Sequence, residues 1–212
     1  MIDDCVIRVT SSSLKSNYMF NKSDSRAAIQ SAIDELGKKS ALSQGLNSPI
    51  TSFERMKSCG SSVCYIKFER GEAVGLLKVG SKQLFVSPPG LGSLKCINPL
   101  CVLDFYVSKQ RSGHGKEIFD CMLAREGADA SKLAYDRPSS KLFGFLKKYF
   151  GLSKFVPQSI NFVIFDEYYK EASASSTRPS TASVIELPES FEPITKPVVI
   201  PETNFRRRKA FN

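Results

Sequence analysis

The segment Gln110-Arg111-Ser112-Gly113-His114-Gly115-Lys116 follows a nearly continuous apolar run, LCVLDFYV (100–107), and precedes residues of helical period. Gly113 and Gly115 lack a Cβ, so the main chain can turn sharply there and present consecutive N–H groups. A helix starting next adds its positive end. Such a bend is suited to phosphate, and Arg111 and Lys116 add cations fit for a pyrophosphate with flanking phosphates. Neither commoner nucleotide motif is present: no G-x-x-x-x-G-K-[ST] occurs, and Gly113-x-Gly115 lacks the third glycine of a dinucleotide fingerprint. By spacing alone, a plain tight turn is the commoner meaning of G-x-G before a helix.

Other residues could move protons or bind metal, and each has a plainer reading. Cys101 on a buried apolar strand is by default core filler, and Asp136 before Arg137-Pro138 a strand-end turn residue. His114 has the most convenient pKa, yet its place inside the glycine loop points to packing. Cys59-x4-Cys64 and Cys96-x4-Cys101 mimic paired metal ligands. Their spacing is wider than a C-x2-C knuckle and two of the four sit on strands, so no metal is expected.

These residues need a frame of strands and helices. Ser23-Asp24 can cap a helix in which Ile29, Ala32, Ile33 and Leu36 share a face, with Gly37 near its end. SVCYIKFE (62–69) and AVGLLKVG (73–80), separated by Arg70-Gly71-Glu72, and then KQLFVS read as an antiparallel meander. The run 100–107 reads as a buried central strand interrupted only by Asp104. After the glycine loop, Ile118, Cys121, Met122 and Arg125 recur at helical spacing. KLAYD (132–136) reads as a short strand, SSKLFGFLKKYF (139–150) as an amphipathic helix and NFVIFDEYY (161–169) as a final strand. Alternating strand and helix signals are α/β grammar.

The 212 residues carry 30 Lys+Arg against 21 Asp+Glu, a net charge of +9. Residues 171–212 hold six basic and five acidic residues, leaving 24 and 16 before them, so residues 1–170 carry the charge and favour acidic partners. The tail 171–212 has five of the eleven prolines and no Gly or Cys; it reads as disordered, ending in the basic cluster RRRK (206–209). No apolar run approaches the roughly 18 residues a bilayer needs, and MIDDCVIRVTSS lacks a secretory n-region. Six cysteines without a signal are expected as reduced thiols in the cytoplasm.

Gln110-x-x-Gly113-x-Gly115 directly after a buried strand resembles the acetyl-CoA pyrophosphate loop of the GNAT acetyltransferase superfamily, and the order of elements agrees. Longer blocks resemble the α-tubulin N-acetyltransferase family within it. They are AIDELGKKSALSQGLNSPITS (32–52), LLKVGSKQLFV (76–86), CVLDFYV (101–107), QRSGHGKEIFDCML (110–123), LAYDRPSSKLFGFLKKY (133–149) and VPQSINFVIF (156–165). D-R-P-S (136–139) before a K-L-x-x-F-L helix is not a general GNAT feature.

The resemblance implies an α/β GNAT fold over residues 1–170, with a central mixed, mostly antiparallel sheet flanked by helices. It implies acetyl transfer from acetyl-CoA to the ε-amine of a lumenal α-tubulin lysine in microtubules, by direct attack in a ternary complex. Cys101 and Asp136 match the family's catalytic Cys and Asp, Gln44 a Gln needed for activity, and Arg137 a residue beside the peptide substrate. Phe105, Tyr106, Val107, Gln110, Arg111, Ser112, Gly113, His114, Gly115 and Lys116 match cofactor-binding positions. So do Ser139, Ser140, Lys141, Leu142, Phe143, Gly144, Phe145, Leu146, Lys147 and Lys148. The expected partner is the microtubule, with no metal, nucleic acid or membrane, for a monomer acting in the cytoplasm on the cytoskeleton, cilium or axoneme included.

A lysine amine of pKa near 10.4 is deprotonated in roughly one molecule per few thousand at pH 7, so transfer needs a proton acceptor. Asp136, near 3.9 when unperturbed, becomes a useful base only if its surroundings raise it, and Cys101 starts near 8.5. The pair is assigned jointly with Asp136 leading. Two rivals stand: a non-catalytic microtubule-binding module that keeps the fold, and a basic nucleic-acid binder, which would lack any recognised binding signature.

Overall fold

Strand order is what brings the site residues together. The structure, a computed structural model, describes residues 5–15, 23–90 and 92–170; the tail 171–212 with its basic cluster lies outside them, as do the side chains of Ser23 and Asp24. The elements are β1 (Cys5–Thr10), α1 (Ser11–Lys15), α2 (Ser23–Ser43), α3 (Phe53–Ser58), β2 (Ser62–Glu69) and β3 (Glu72–Ser81). There follow β4 (Leu84–Val86), β5 (Lys95–Ile97), β6 (Leu100–Val107), α4 (His114–Glu126), β7 (Ala134–Asp136), α5 (Ser140–Phe150) and β8 (Phe162–Ile164). The main sheet runs β1-β2-β3-β6-β7-β8, antiparallel throughout except for the parallel pair β6 and β7.

Alternation along the strands sends side chains to two main cores, and a third, smaller cluster gathers Leu84, Val86, Cys101, Ala134 and Ile164. Tyr65, Leu77, Val79 and Val102 face α4 and α5, where Ile118, Phe119, Met122 and Leu146 are buried. Cys64, Ile66 and Leu76 face α2 and α3, meeting Ile29, Ile33, Leu36, Phe53 and Met56. The expected face of α2 is thus the buried one. On α4 the register differs from expectation, for Phe119 is buried while Arg125 is exposed and Cys121 half-buried.

Three expectations are corrected by the fold. KQLFVS does not extend the meander: β4 pairs with β5 in a separate ribbon, and the more apolar β6 takes the place beside β3. The last strand stops at Ile164 and gives way to a 3-10 turn at Asp166–Tyr168. Helix α2 continues past Gly37 to Ser43, because Gly37 serves close approach and does not terminate the helix. A Cβ there would lie 2.0 Å from the Thr51 carbonyl oxygen. Gly37→Ala is therefore expected to destabilise the protein by about 1–3 kcal/mol, despite alanine's better helix propensity, read as a lowered urea midpoint. A neutral or raised midpoint would contradict this packing.

Cys64 and Cys101 are both fully buried, and burial pushes each thiol up to about 12. Both groups hold their protons in the folded chain while the unfolded chain releases them above the ordinary thiol range of about 8.5. Stability is fully present below that range and falls as pH rises toward 12, by about 1.4 kcal/mol per pH unit for each thiol. Urea midpoints measured between pH 8 and 10.5 are expected to show this slope, with Cys64→Ala reducing it; an unchanged slope in the variant would contradict it.

Candidate active site

Strand β6 and the short β7 pair only through Cys101 with Ala134 and Val102 with Tyr135. Beyond Asp136 β7 ends, so residues 103–107 of β6 have no partner on that side and the sheet is open there. A register shift opposite Lys78 and Val79 inserts Leu103 as an extra residue in β6, which bends the strand at the opening.

The glycine loop stands at the end of this splayed strand. Gly113 caps α4 at φ +90 with no side chain satisfying the helix end, a conformation that favours glycine. Arg111 is also left-handed at φ +63. Among the described residues, the amides of Ser112, Gly113, His114 and Gly115 have no hydrogen-bond acceptor. Gly115 plays a different part. Its Cβ would meet Phe105 Cζ at 3.3 Å and Val107 Cγ2 at 3.6 Å, so its bareness seats α4 against β6. Unpaired amides at a helix start, beside a strand opening, are a site for an anionic ligand with a long arm.

The charged residues of the loop are held in distinct ways. Lys116 Nζ donates to Asp120 at 2.7 and 2.5 Å and lies over the rings of Tyr149 and Phe150, tying α4 to α5. His114 is 7% exposed, with Nε2 3.4 Å from Glu69 Oε1, a packing place consistent with its plainer reading. Ser112 Oγ donates to Lys109 O at 2.7 Å, closing the turn. Gln110 and Arg111 are exposed.

Phe105 and Val107 are half-buried toward α4, whereas Tyr106 packs against the α2-side core. On α5, capped by Ser139 Oγ accepting from the Leu142 amide, Leu146 is core. Leu142, Phe143 and Phe145 are half-buried, while Ser140, Lys141, Gly144, Lys147 and Lys148 are exposed. Phe145 meets Phe105 at 5.6 Å between ring centroids. Only some of these positions can therefore touch a ligand by their side chains.

Asp136 ends β7 with a side chain 17% exposed, lining an open cleft of about 610 Å3 with Ile50, Glu54, Arg55, Ser58, Cys59, Lys78, Lys82 and Leu103. Arg137 holds it, Nε donating to Oδ1 at 3.0 Å and Nη2 to Oδ2 at 3.4 Å. Arg137 is itself left-handed, φ +42, and its amide donates to Asn161 O at 2.8 Å. It borders a smaller hollow of about 270 Å3 with Pro138, Phe143, Phe155 and Phe162. The Asp136–Arg137 pair thus stands between two hollows.

Cys101 is near enough that the Asp136 charge acts on it, but its thiol is raised chiefly by burial and donates to Pro99 O at 3.5 Å. At neutral pH it is a protonated thiol, which makes it neither a ready nucleophile nor a resting base. Gln44 reaches the same face of β6 as Cys101, for Asp104 stands opposite Lys78 and Cys101 opposite Gly80 on β3. Its Nε2 donates to Ser40 Oγ at 2.8 Å and Asp104 Oδ1 at 3.2 Å. Ser40 and Thr51 hydroxyls also donate to Asp104, each at 2.6 Å. The interruption in the central strand is therefore a buried carboxylate satisfied by α2 and the loop after it. Lys78, Lys82 and Arg55 in the cleft were not singled out by sequence, and Cys59 only as a mimic of a metal ligand; the one available signal for the cations was a lysine inside the apolar run LLKVG. No group of three or more His, Cys, Asp or Glu among the described residues could hold a metal ion.

A family model described as GNAT acetyltransferase, Mec-17, matches residues 1–192. Alpha-tubulin N-acetyltransferase 2 of Trypanosoma cruzi is 46% identical over 143 residues, covering 66% of this chain and 44% of that protein. Alpha-tubulin N-acetyltransferase of Tetrahymena thermophila is 44% identical over 148 residues, 69% of this chain and 37% of that protein. The Anopheles gambiae protein of the same name is 38% identical over 182 residues, 81% of this chain and 37% of that protein. The chain spans less than half the length of these relatives.

Proposed function

The chain belongs to the GNAT acetyltransferase, Mec-17, family, and on that footing we propose that it acetylates a lysine of α-tubulin, using acetyl-CoA. The observation that carries this reading is the carboxylate of Asp136, at the end of β7 in an open cleft beside the strand opening that leads from the loop of unpaired amides. The loop fits acetyl-CoA: amides 112–115 and the start of α4 suit its pyrophosphate, and the gap between β6 and β7 suits its arm. Bound there, acetyl-CoA supplies an activated acetyl group.

Asp136 accepts the proton that the incoming lysine must lose. An ordinary aspartate carboxylate lies about 6.5 pKa units below a lysine amine, about 9 kcal/mol. Proton acceptance therefore requires the acceptor peptide to displace water and loosen Arg137 from the carboxylate. Cys101 stays protonated on the neighbouring strand, and Gln44 braces β6 through Asp104. Arg55, Lys78 and Lys82 give the cleft a basic rim that suits an acidic protein surface.

In this reading residues 1–170 are the catalytic domain and 171–212 a tail, the substrate is a lumenal lysine, and the enzyme acts as a monomer on cytoplasmic microtubules, ciliary ones included. No helix of the described residues is long and apolar enough to cross a membrane. Purified protein mixed with acetyl-CoA and assembled microtubules is expected to release free CoA thiol at a rate proportional to enzyme. Microtubule co-sedimentation without thiol release would instead make it a binding module.

A further inference from the structure

The cleft holds a second chemical group that acetyl transfer does not use. Cys59 ends α3 half-buried, with Sγ 3.1 Å from Ser62 Oγ and 3.8 Å from Ser61 Oγ, and lines the cleft that holds Asp136. Hydroxyls at that range stabilise a thiolate, and the Ser62 contact is the largest cause that brings this thiol below its ordinary range, against the opposing pull of partial burial. The Lys78 charge acts in the same direction.

Lys78 is an independent sign. It is 7% exposed, lines the same cleft, and among the described residues makes no hydrogen bond or ion pair. Its stem is buried while its ammonium, not fully buried, reaches into the cleft. Burial lowers the Lys78 pKa, with the nearby Cys59 and the Asp104 carboxylate pulling the other way. With Lys82 and Arg55 it offers cations to an anion entering the cleft, where Glu54 and Asp136 are the opposing acids.

We propose that Cys59 is a modification site, a thiol that exchanges with small anionic disulfides of the glutathione class and whose adduct closes the Asp136 cleft to the acyl acceptor. The Cys59 sulfur attacks one sulfur of the disulfide, forming a new S–S bond as the old one breaks. The departing half leaves with the electron pair as a thiolate and takes a proton from water. Cys59 is oxidised and that half is reduced, with no further reagent. Blocking of the cleft rests on the acetyltransferase reading; the exchange itself does not.

The protein is incubated with glutathione disulfide at neutral pH, quenched by acid, digested and mapped by mass spectrometry. Cys59 is expected to be modified about tenfold faster than Cys96, the exposed thiol. Lys78→Met is expected to shrink that ratio, and in the unmutated protein a neutral disulfide, hydroxyethyl disulfide, should show a smaller ratio than glutathione disulfide. Acetyl transfer should fall in step with Cys59 occupancy and return with dithiothreitol, while Cys59→Ser keeps its own untreated rate on exposure to the disulfide. Cys96 reacting as fast as Cys59 overturns the site, and full Cys59 occupancy with unchanged transfer overturns the block. Absence of transfer before any treatment counts against the proposed function instead, and the labelling ratio still decides the thiol.

Discussion

Asp136→Asn is expected to lower the rate of acetyl transfer by about 10²–10⁴-fold, the usual contribution of a positioned proton acceptor, while acetyl-CoA affinity changes by less than about twofold. The reason lies in the geometry. Asn has nearly the same shape, and its amide oxygen can still accept from Arg137 Nε, now at 3.0 Å from Asp136 Oδ1, so β7 and the turn into α5 keep their form. What the substitution removes is proton acceptance in the cleft. Steady-state kinetics paired with calorimetry of acetyl-CoA binding separates the two effects. Equal losses in both would make Asp136 a structural residue of the strand end.

Gly113→Trp is expected to give the opposite profile, with acetyl-CoA binding reduced by about a hundredfold or more. The backbone φ of +90 would strain any L-residue, at a cost of about 1–2 kcal/mol. No atom lies within 4 Å of a Cβ built at this position, so the indole projects into open space beside the unpaired amides, where the pyrophosphate would sit. Gly113→Ala carries the same strain without the bulk and is expected to lose far less. Calorimetry on both variants checks this; equal losses would place the effect in backbone strain, and unchanged binding by the Trp variant would exclude the loop as the site.

The loop was legible in the sequence because glycine is the one residue whose absence of a side chain announces a role for the backbone. Even so, its two glycines turned out to differ, Gly113 serving conformation and Gly115 packing. The strands in which consecutive apolar residues face both cores, β2, β3 and β6, were equally plain. Strand β1 went unread because at the sheet edge only Val9 of its residues is buried, which leaves little alternation. KQLFVS had strand composition, but composition does not say which neighbour a strand pairs with. The cleft was hidden for a related reason. Lys78, Cys59 and Asp136 come from three separate stretches that only the sheet order brings together, and a lysine between Leu77 and Val79 has no period of its own to mark it.

The proposal that this chain carries acetyl from acetyl-CoA to tubulin is tested most directly by locating the product. Assembled microtubules are incubated with acetyl-CoA and either the wild-type protein or Asp136→Asn, then digested and sequenced by mass spectrometry. The expected result is one α-tubulin lysine acetylated by the wild type, on the lumenal face, and its acetylation almost absent with the variant. Acetyl groups scattered over many exposed lysines, or the same yield from both proteins, would contradict it.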